Sequence, residues 1–254
     1  YGTARDLLIG VTLAFADGRV VKAGGHVVKN VAGYDLGRLM SGSFGTLAAI
    51  VDATFKLSPI WPASRTLVAD FADAGALAGA VQAVRGSHLE PVACDGDVRL
   101  GGLGPLYRLL VRFATGPAAT AAQAGAMRQL LEAGGAAGQG SVREIEEGDE
   151  PALWRSQVTR VWEGAGLVVR AAWRPAALQQ ALEAIVRAGA GAGIEITARA
   201  AVGAGVVRLA VADADAAGVV EALRASDGVG NVTVLQASPA LKARVDGWPP
   251  PGDS

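Results

Sequence analysis

From residue 65 to residue 237 the chain alternates short β-branched runs with amphipathic stretches, in an order few folds accommodate. The first runs read as strand 65–71, helix 73–86, strand 90–95, strand 106–114, helix 118–133 and strand 141–146. After a helix at about 150–163, the order returns as strand 166–173, helix 176–189, strands 193–199 and 205–211, helix 214–225 and strand 231–237. A β-α-β-β-α-β order used twice implies an α+β protein built on two ferredoxin-like halves. That order says nothing of function, because such halves carry unrelated activities.

The first sixty residues have a different character. Val11 to Phe15 and Val20 to Ala23 are β-branched-rich and flank Asp17-Gly18, a dipeptide that predicts a two-residue hairpin turn. A Gly-rich stretch follows from Gly24 to Gly45, interrupted by a helix candidate at Asp35 to Met40. Thr46 to Leu57 reads as a strand, stopped by Pro59 and Pro62, so a domain boundary is expected there, giving domains 1–60 and 61–254. The segment Gly42-Ser43-Phe44-Gly45-Thr46 offers backbone N–H groups, a hydroxyl pair and little side-chain bulk, so it can lie against a flat, polar-edged cofactor. By glycine spacing alone the plainer reading is a tight turn between helix and strand.

The run Lys29 to Leu47, KNVAGYDLGRLMSGSFGTL, and the opening YGTARDLLIGVTLAFADGRVV, Tyr1 to Val21, carry a resemblance that spacing does not. Together they resemble the second half of the FAD-binding domain of the PCMH-type, or vanillyl-alcohol-oxidase, FAD-linked oxidases. The resemblance implies a PCMH-type FAD-binding domain over residues 1–60, and over 61–254 the duplicated ferredoxin-like cap of that family. It implies FAD as cofactor, lined by Gly2, Thr3, Gly25, Gly33, Gly42, Ser43, Gly45 and Thr46, with the backbone near Ile50 at the adenine end. Lys29, Asn30 and Tyr34 fall where that family places polar groups nearer the isoalloxazine ring.

Phe44 stands where most dehydrogenases of the family carry Glu. An apolar residue there, and the late segment Ala237-Ser238-Pro239-Ala240-Leu241-Lys242, resemble the FAD-binding subunits of glycolate oxidase complexes. The implied activity is oxidation of a small 2-hydroxy acid, with electrons passed through the flavin to a second flavoprotein subunit and an iron–sulfur subunit. The other readings are a self-sufficient FAD-dependent D-2-hydroxy acid dehydrogenase and a non-catalytic remnant serving as an interaction module. The resemblance also implies truncation at both ends. The pyrophosphate-binding subdomain is expected before Tyr1 and the closing segment after Ser254, so FAD retention by these residues alone is expected to be weak.

Composition narrows the partners. Lys plus Arg number 23 against 24 Asp plus Glu, which leaves no positive field for a phosphate backbone, so nucleic acid is not expected. Gly, Pro or a charge interrupts every apolar run before about 18 residues, so no transmembrane helix is expected. One cysteine, Cys94, cannot form an intramolecular disulfide, which suggests a cytoplasmic protein, peripheral at the inner membrane only through partner subunits. His26 and His88 are the only histidines and lie in no metal-binding spacing, so no metal site is expected and no catalytic residue is assigned. Trp154, Trp162 and Trp173 either anchor a partner or, the plainer reading, pack between the two halves. The run Arg143 to Glu147 reads as a solvated edge, and the Pro-rich tail from Trp248 as irregular.

Overall fold

A computed structural model of the chain describes residues 3–26, 34–101, 104–134, 142–145, 147–190, 196–200 and 203–248. Two compact units emerge, Tyr1–Ile60 and Trp61–Ser254.

The smaller unit contains α1 (Ala4–Leu7), β1 (Leu8–Ala14), β2 (Val20–Gly24), α2 (Leu36–Met40) and β3 (Ala49–Phe55). Its strands form an antiparallel sheet in the order β2-β1-β3. Leu8, Val11, Leu13, Met40 and Ala48 make its core, with Leu36 and Ala53 packed against them. The hairpin turn differs from the two-residue turn expected. Gly18 N–H donates to Phe15 O at 3.0 Å and Phe15 N–H to Arg19 O at 2.9 Å, and Gly18 has φ +85°. This is a three-residue loop, a β-turn closed by a left-handed glycine. Gly24 cannot be anything else: its φ is +76°, and a Cβ there would lie 2.2 Å from Ile9 O.

The larger unit begins with β4 (Ala63–Phe71), α3 (Ala74–Gly86), β5 (Ala93–Gly101), β6 (Gly104–Thr115), α4 (Pro117–Ala133) and β7 (Val142–Ile145). The helix α5 (Glu150–Thr159) and a 3-10 turn at Arg160–Trp162 follow. The second half contains β8 (Leu167–Ala172), α6 (Leu178–Ala190), β9 (Ile196–Ala200), β10 (Ala204–Leu209), α7 (Asp213–Arg224) and β11 (Asn231–Gln236), and then α8 (Pro239–Lys242).

All eight strands form one sheet, β11-β8-β10-β9-β5-β6-β4-β7. Each half contributes four strands in the same 4-1-3-2 order expected of a ferredoxin-like half. The second strands of the two halves, β5 and β9, pair antiparallel around Val98↔Ala198, so the sheet runs unbroken from one half to the other.

Parity along the strands fixes the two faces. Leu67, Ala69, Phe71, Leu109, Val111 and Phe113 point toward α3 and α4, while Val169, Ala171 and Val207 belong to the same apolar layer. The spacing of Leu178, Ala181, Leu182 and Ile185 puts a continuous apolar stripe of α6 on that layer. On the opposite face lies α5. Buried Glu150 accepts from the hydroxyls of Ser64 and Thr66 and, at 3.1 Å, from Arg112, while Trp154 Nε1 donates to Thr66 at 2.8 Å.

Several expected boundaries move for physical reasons. The strand expected at 90–95 is β5, extended to Gly101, because pairing to both β6 and β9 outweighs the weakness of interior glycines. The strand expected at 46–57 starts at Ala49, since Thr46 is committed to a turn. Pro175 opens a 3-10 turn, so the helix expected from 176 starts at Leu178. The run at 143–147 is a solvated edge as expected, with Arg143, Glu144 and Glu147 exposed on or beside the end strand β7, and it carries surface ion pairs. Glu144 pairs with Arg65 and, at 3.7 Å, with Arg128, and Arg143 lies 3.7 Å from Asp70; Glu146 lies outside the described residues. The tryptophans do not form one group: Trp154 packs on β4, Trp173 is buried in the second half's core, and Trp162 is exposed. The expected irregular tail beyond Trp248 lies outside the described residues.

Candidate cofactor site

Asp35 caps α2, accepting from Arg38 N–H at 2.9 Å and pairing with its guanidinium at 3.2 Å. The helix ends at Met40 and the backbone turns at once: Ser43 N–H donates to Met40 O at 3.1 Å with Gly42 at φ +87°. A second turn follows, in which Thr46 N–H donates to Ser43 O at 3.0 Å and the Thr46 hydroxyl to the same oxygen at 2.7 Å. Both central residues of that turn are left-handed, Phe44 at φ +55° and Gly45 at +77°. Phe44 is the one non-glycine residue with positive φ among the described residues. A bulky side chain in that region is strained, and such strain concentrates at ligand sites.

Around this double turn is an open depression of about 340 Å³, lined by Met40, Gly42, Ser43, Phe44, Gly45, Ala48, Ala49 and Ile50. Nothing lies within 4 Å of the place a Cβ would take at Gly42 or Gly45, so a flat group can approach the main chain there. That is the fit FAD requires of these residues: room over bare backbone, apolar walls and a serine hydroxyl.

Of the residues expected to line FAD, Gly42, Ser43, Gly45 and Ile50 come together on this depression, with Thr46 bonded back onto its turn. Thr3 lies elsewhere in the unit. Its N–H and hydroxyl both donate to Asp6, at 2.8 and 2.7 Å, and the hydroxyl bond foremost holds the Asp6 carboxyl below its usual pKa. Gly25 N–H donates to Ile9 O at 3.1 Å, extending the hairpin, and Tyr34 is almost fully exposed. Gly2, Lys29, Asn30 and Gly33 lie outside the described residues. Sequence reasoning missed Met40, Ala48 and Ala49 as walls, and did not assign Phe44 a left-handed backbone. Nothing in its side chain signalled the left-handed backbone.

A second polar concentration lies within the larger unit, on the sheet face that carries α5. Asp97 is buried between Arg99, at 2.9 Å, and Arg160, at 2.6 Å, while Arg108 forms a two-pronged pair with Asp70. The Asp70 hydrogen bonds raise the Arg108 pKa, whereas burial, reinforced by Arg99 and Arg108 and opposed by Asp97, lowers that of Arg160. Cys94, on β5 but packed against the apolar layer of the opposite face, has its thiol pushed up to about 12 by burial and then by Asp95. Both histidines are exposed, and no metal-holding group of His, Cys, Asp or Glu occurs among the described residues. No described helix is long and apolar enough to cross a membrane.

No family profile matches the chain. Among curated proteins it is 37% identical over 95 residues to glycolate oxidase subunit GlcD of Bacillus subtilis, covering 37% of this chain and 20% of that protein. It is 42% identical over 66 residues to glycolate oxidase subunit GlcE of Escherichia coli, covering 26% and 19%. It is 46% identical over 59 residues to D-lactate dehydrogenase of Archaeoglobus fulgidus, covering 23% and 13%. These matches span a fifth or less of each relative's length. Among solved structures, an alkyldihydroxyacetonephosphate synthase superposes with a TM-score of 0.58 at 14% identity, over 88% of this chain and 49% of that one. BBE-like 1 of Physcomitrella patens gives 0.55 at 12% identity, over 86% and 53%. The second pair shows a shared fold, and the first group shows sequence similarity over 23% to 37% of this chain.

Proposed function

We propose that the residues around the Gly42–Thr46 turn form part of the FAD site of an FAD-dependent oxidoreductase acting on a small 2-hydroxy acid. The observation that carries this reading is the left-handed pair Phe44-Gly45 beside a depression whose glycines leave the main chain bare. Gly42, Ser43, Gly45, Thr46 and Ile50 would hold the cofactor there, with Thr3, Gly25, Gly33, Tyr34, Lys29, Asn30 and Gly2 as the further residues assigned to it. FAD, when bound, supplies the hydride acceptor. The chain's own part is to position the cofactor.

The names of the relatives favour glycolate or D-lactate as the kind of substrate. Similarity to two glycolate oxidase subunits supports work as the FAD-binding subunit of a complex, with a second flavoprotein and an iron–sulfur subunit as partners. Similarity to the D-lactate dehydrogenase supports the second reading, a self-sufficient dehydrogenase. The domain assignment follows the same reading: 1–60 as part of the FAD-binding domain and 61–254 as the cap.

Titration of the protein with FAD, followed by flavin fluorescence, tests the site. In a chain that also carries the pyrophosphate-binding subdomain, wild type should bind and Gly45→Val should not; equal binding by both would remove the turn from the cofactor. Copurification then separates the two readings, since only the subunit reading expects flavoprotein and iron–sulfur partners to come down with the chain.

A further inference from the structure

The two halves of the larger unit carry matching arginines but not matching acids. In the first half Arg108 on β6 is flanked in register by Asp97 on β5 and Asp70 on β4, and Asp70 binds its guanidinium. In the second half the same strand position is Arg208 on β10, flanked by Thr197 on β9 and Val168 on β8. The correspondence is set by the hairpins: Gly101↔Gly104 closes the first, and the pairs Gly205↔Ala200 to Leu209↔Ile196 run in the same register in the second. The second half thus has the cation and neither carboxylate.

Arg208 forms no ion pair among the described residues, and its Nε is buried without a hydrogen-bond partner. Its guanidinium lies beside the Gly164 turn, where a Cβ would come within 3.5 Å of Nη1. The 3-10 turn that leads into Gly164 packs against β9 and β10, and that turn and the preceding α5 carry two more donors without acceptors. These are Arg160 Nε and the Nε2 of Gln157, a side chain 1% exposed whose Oε1 already accepts from Arg160 at 3.1 Å. Buried N–H groups without acceptors are costly, and a guanidinium so placed is matched by a planar or tetrahedral oxyanion. Asp97 does not meet the need, since Arg99 and Arg160 share it.

We propose that the larger unit binds a small oxyanion, a carboxylate or a phosphate, at Arg208, beneath the 3-10 turn and next to the seam where β9 joins β5. The site lies wholly within residues 61–254 and does not depend on the flavin reading. The anion takes the place that Asp70 and Asp97 hold around Arg108.

The test is calorimetric and thermal titration of the full chain with glycolate, with oxalate and with inorganic phosphate, each as the sodium salt, against sodium chloride at equal ionic strength. Wild type should bind at least one of the three anions and melt higher with it. Arg208→Gln should weaken that binding by about tenfold or more, as expected for loss of a charge-assisted pair. Thr197→Asp, which restores the missing acid, should abolish anion stabilisation while leaving the fold intact by circular dichroism. Arg170→Gln, an exposed arginine on β8, should bind as wild type does. A preference for glycolate or oxalate identifies a carboxylate site, and one for phosphate a phosphate site. Absence of binding by all three anions, or binding unchanged in both Arg208→Gln and Thr197→Asp, would overturn the proposal.

Discussion

At the scale of single residues, the strongest statements concern backbone that side chains cannot follow. Gly45 has φ +77° and open space before it, so Gly45→Val both strains the turn and fills the approach to the main chain. In a chain that also carries the pyrophosphate-binding subdomain, the expected outcome is loss of FAD binding with secondary structure retained, read by flavin fluorescence and circular dichroism. Ser43→Ala should weaken binding by only about 1 kcal/mol, the usual net worth of one neutral hydrogen bond. Cys94 gives a prediction in pH. Its thiol is raised from 9.0 to about 12, so the folded state keeps a proton that the unfolded state releases in that window. The resulting stability is fully present below pH 9.0 and declines as pH rises toward 12, by about 1.4 kcal/mol per unit while only the unfolded thiol is ionised. Urea unfolding across that range should show the decline in wild type and its attenuation in Cys94→Ala. Below pH 9.0 the thiol should resist alkylation until the chain unfolds.

At the scale of elements, α5 shows what holds a helix to a sheet when its apolar face is thin. Glu150 and Gln157 are its buried residues, and Glu150 is gripped by two hydroxyls and Arg112. Glu150→Ala should cost about 3 kcal/mol in chemical denaturation, because it leaves buried donors and a guanidinium uncompensated. Glu144→Ala, which breaks the pairing with Arg65 and Arg128 at the surface, should cost less than about 1 kcal/mol. The sequence showed the helix but not its anchor, since Ser64, Thr66 and Glu150 are brought together only by the fold. The periodic elements were legible for the opposite reason. The spacing of Leu178, Leu182 and Ile185 in α6 and the alternation of Leu67, Ala69 and Phe71 in β4 are local consequences of one buried face. Turn chemistry was less legible: Asp17-Gly18 suits a two-residue turn, yet the chain spends Ala16 as well, and only the Phe15 to Arg19 pairing reveals it.

At the scale of the whole larger unit, the order of strands within each half was legible from β-α-β-β-α-β, but their union in one sheet was not. Nothing local in β5 or β9 says which strand lies across from it. The seam is a ladder of main-chain pairs from Gly96↔Ala200 to Leu100↔Ile196, and Ala198→Pro at its centre removes a donor and stiffens the wrong dihedral. That substitution should split a single unfolding transition of this unit into two in differential scanning calorimetry. The candidate cofactor site was legible in part for a related reason: Gly42, Ser43 and Gly45 are neighbours in sequence, whereas Met40, Ala48 and Ala49 reach the depression only because α2 and β3 flank it.

The pairing of β5 with β9 joins like to like, the second strand of one half against the second strand of the other. Such a contact is self-complementary: once made, it uses up the surface on both sides and offers nothing to a third copy. The unit is therefore a two-fold dimer written into one polypeptide, freed from the concentration dependence that governs separate subunits. Because the two copies share a chain yet are encoded independently, one can carry acids where the other has none, an asymmetry that a true homodimer could not acquire.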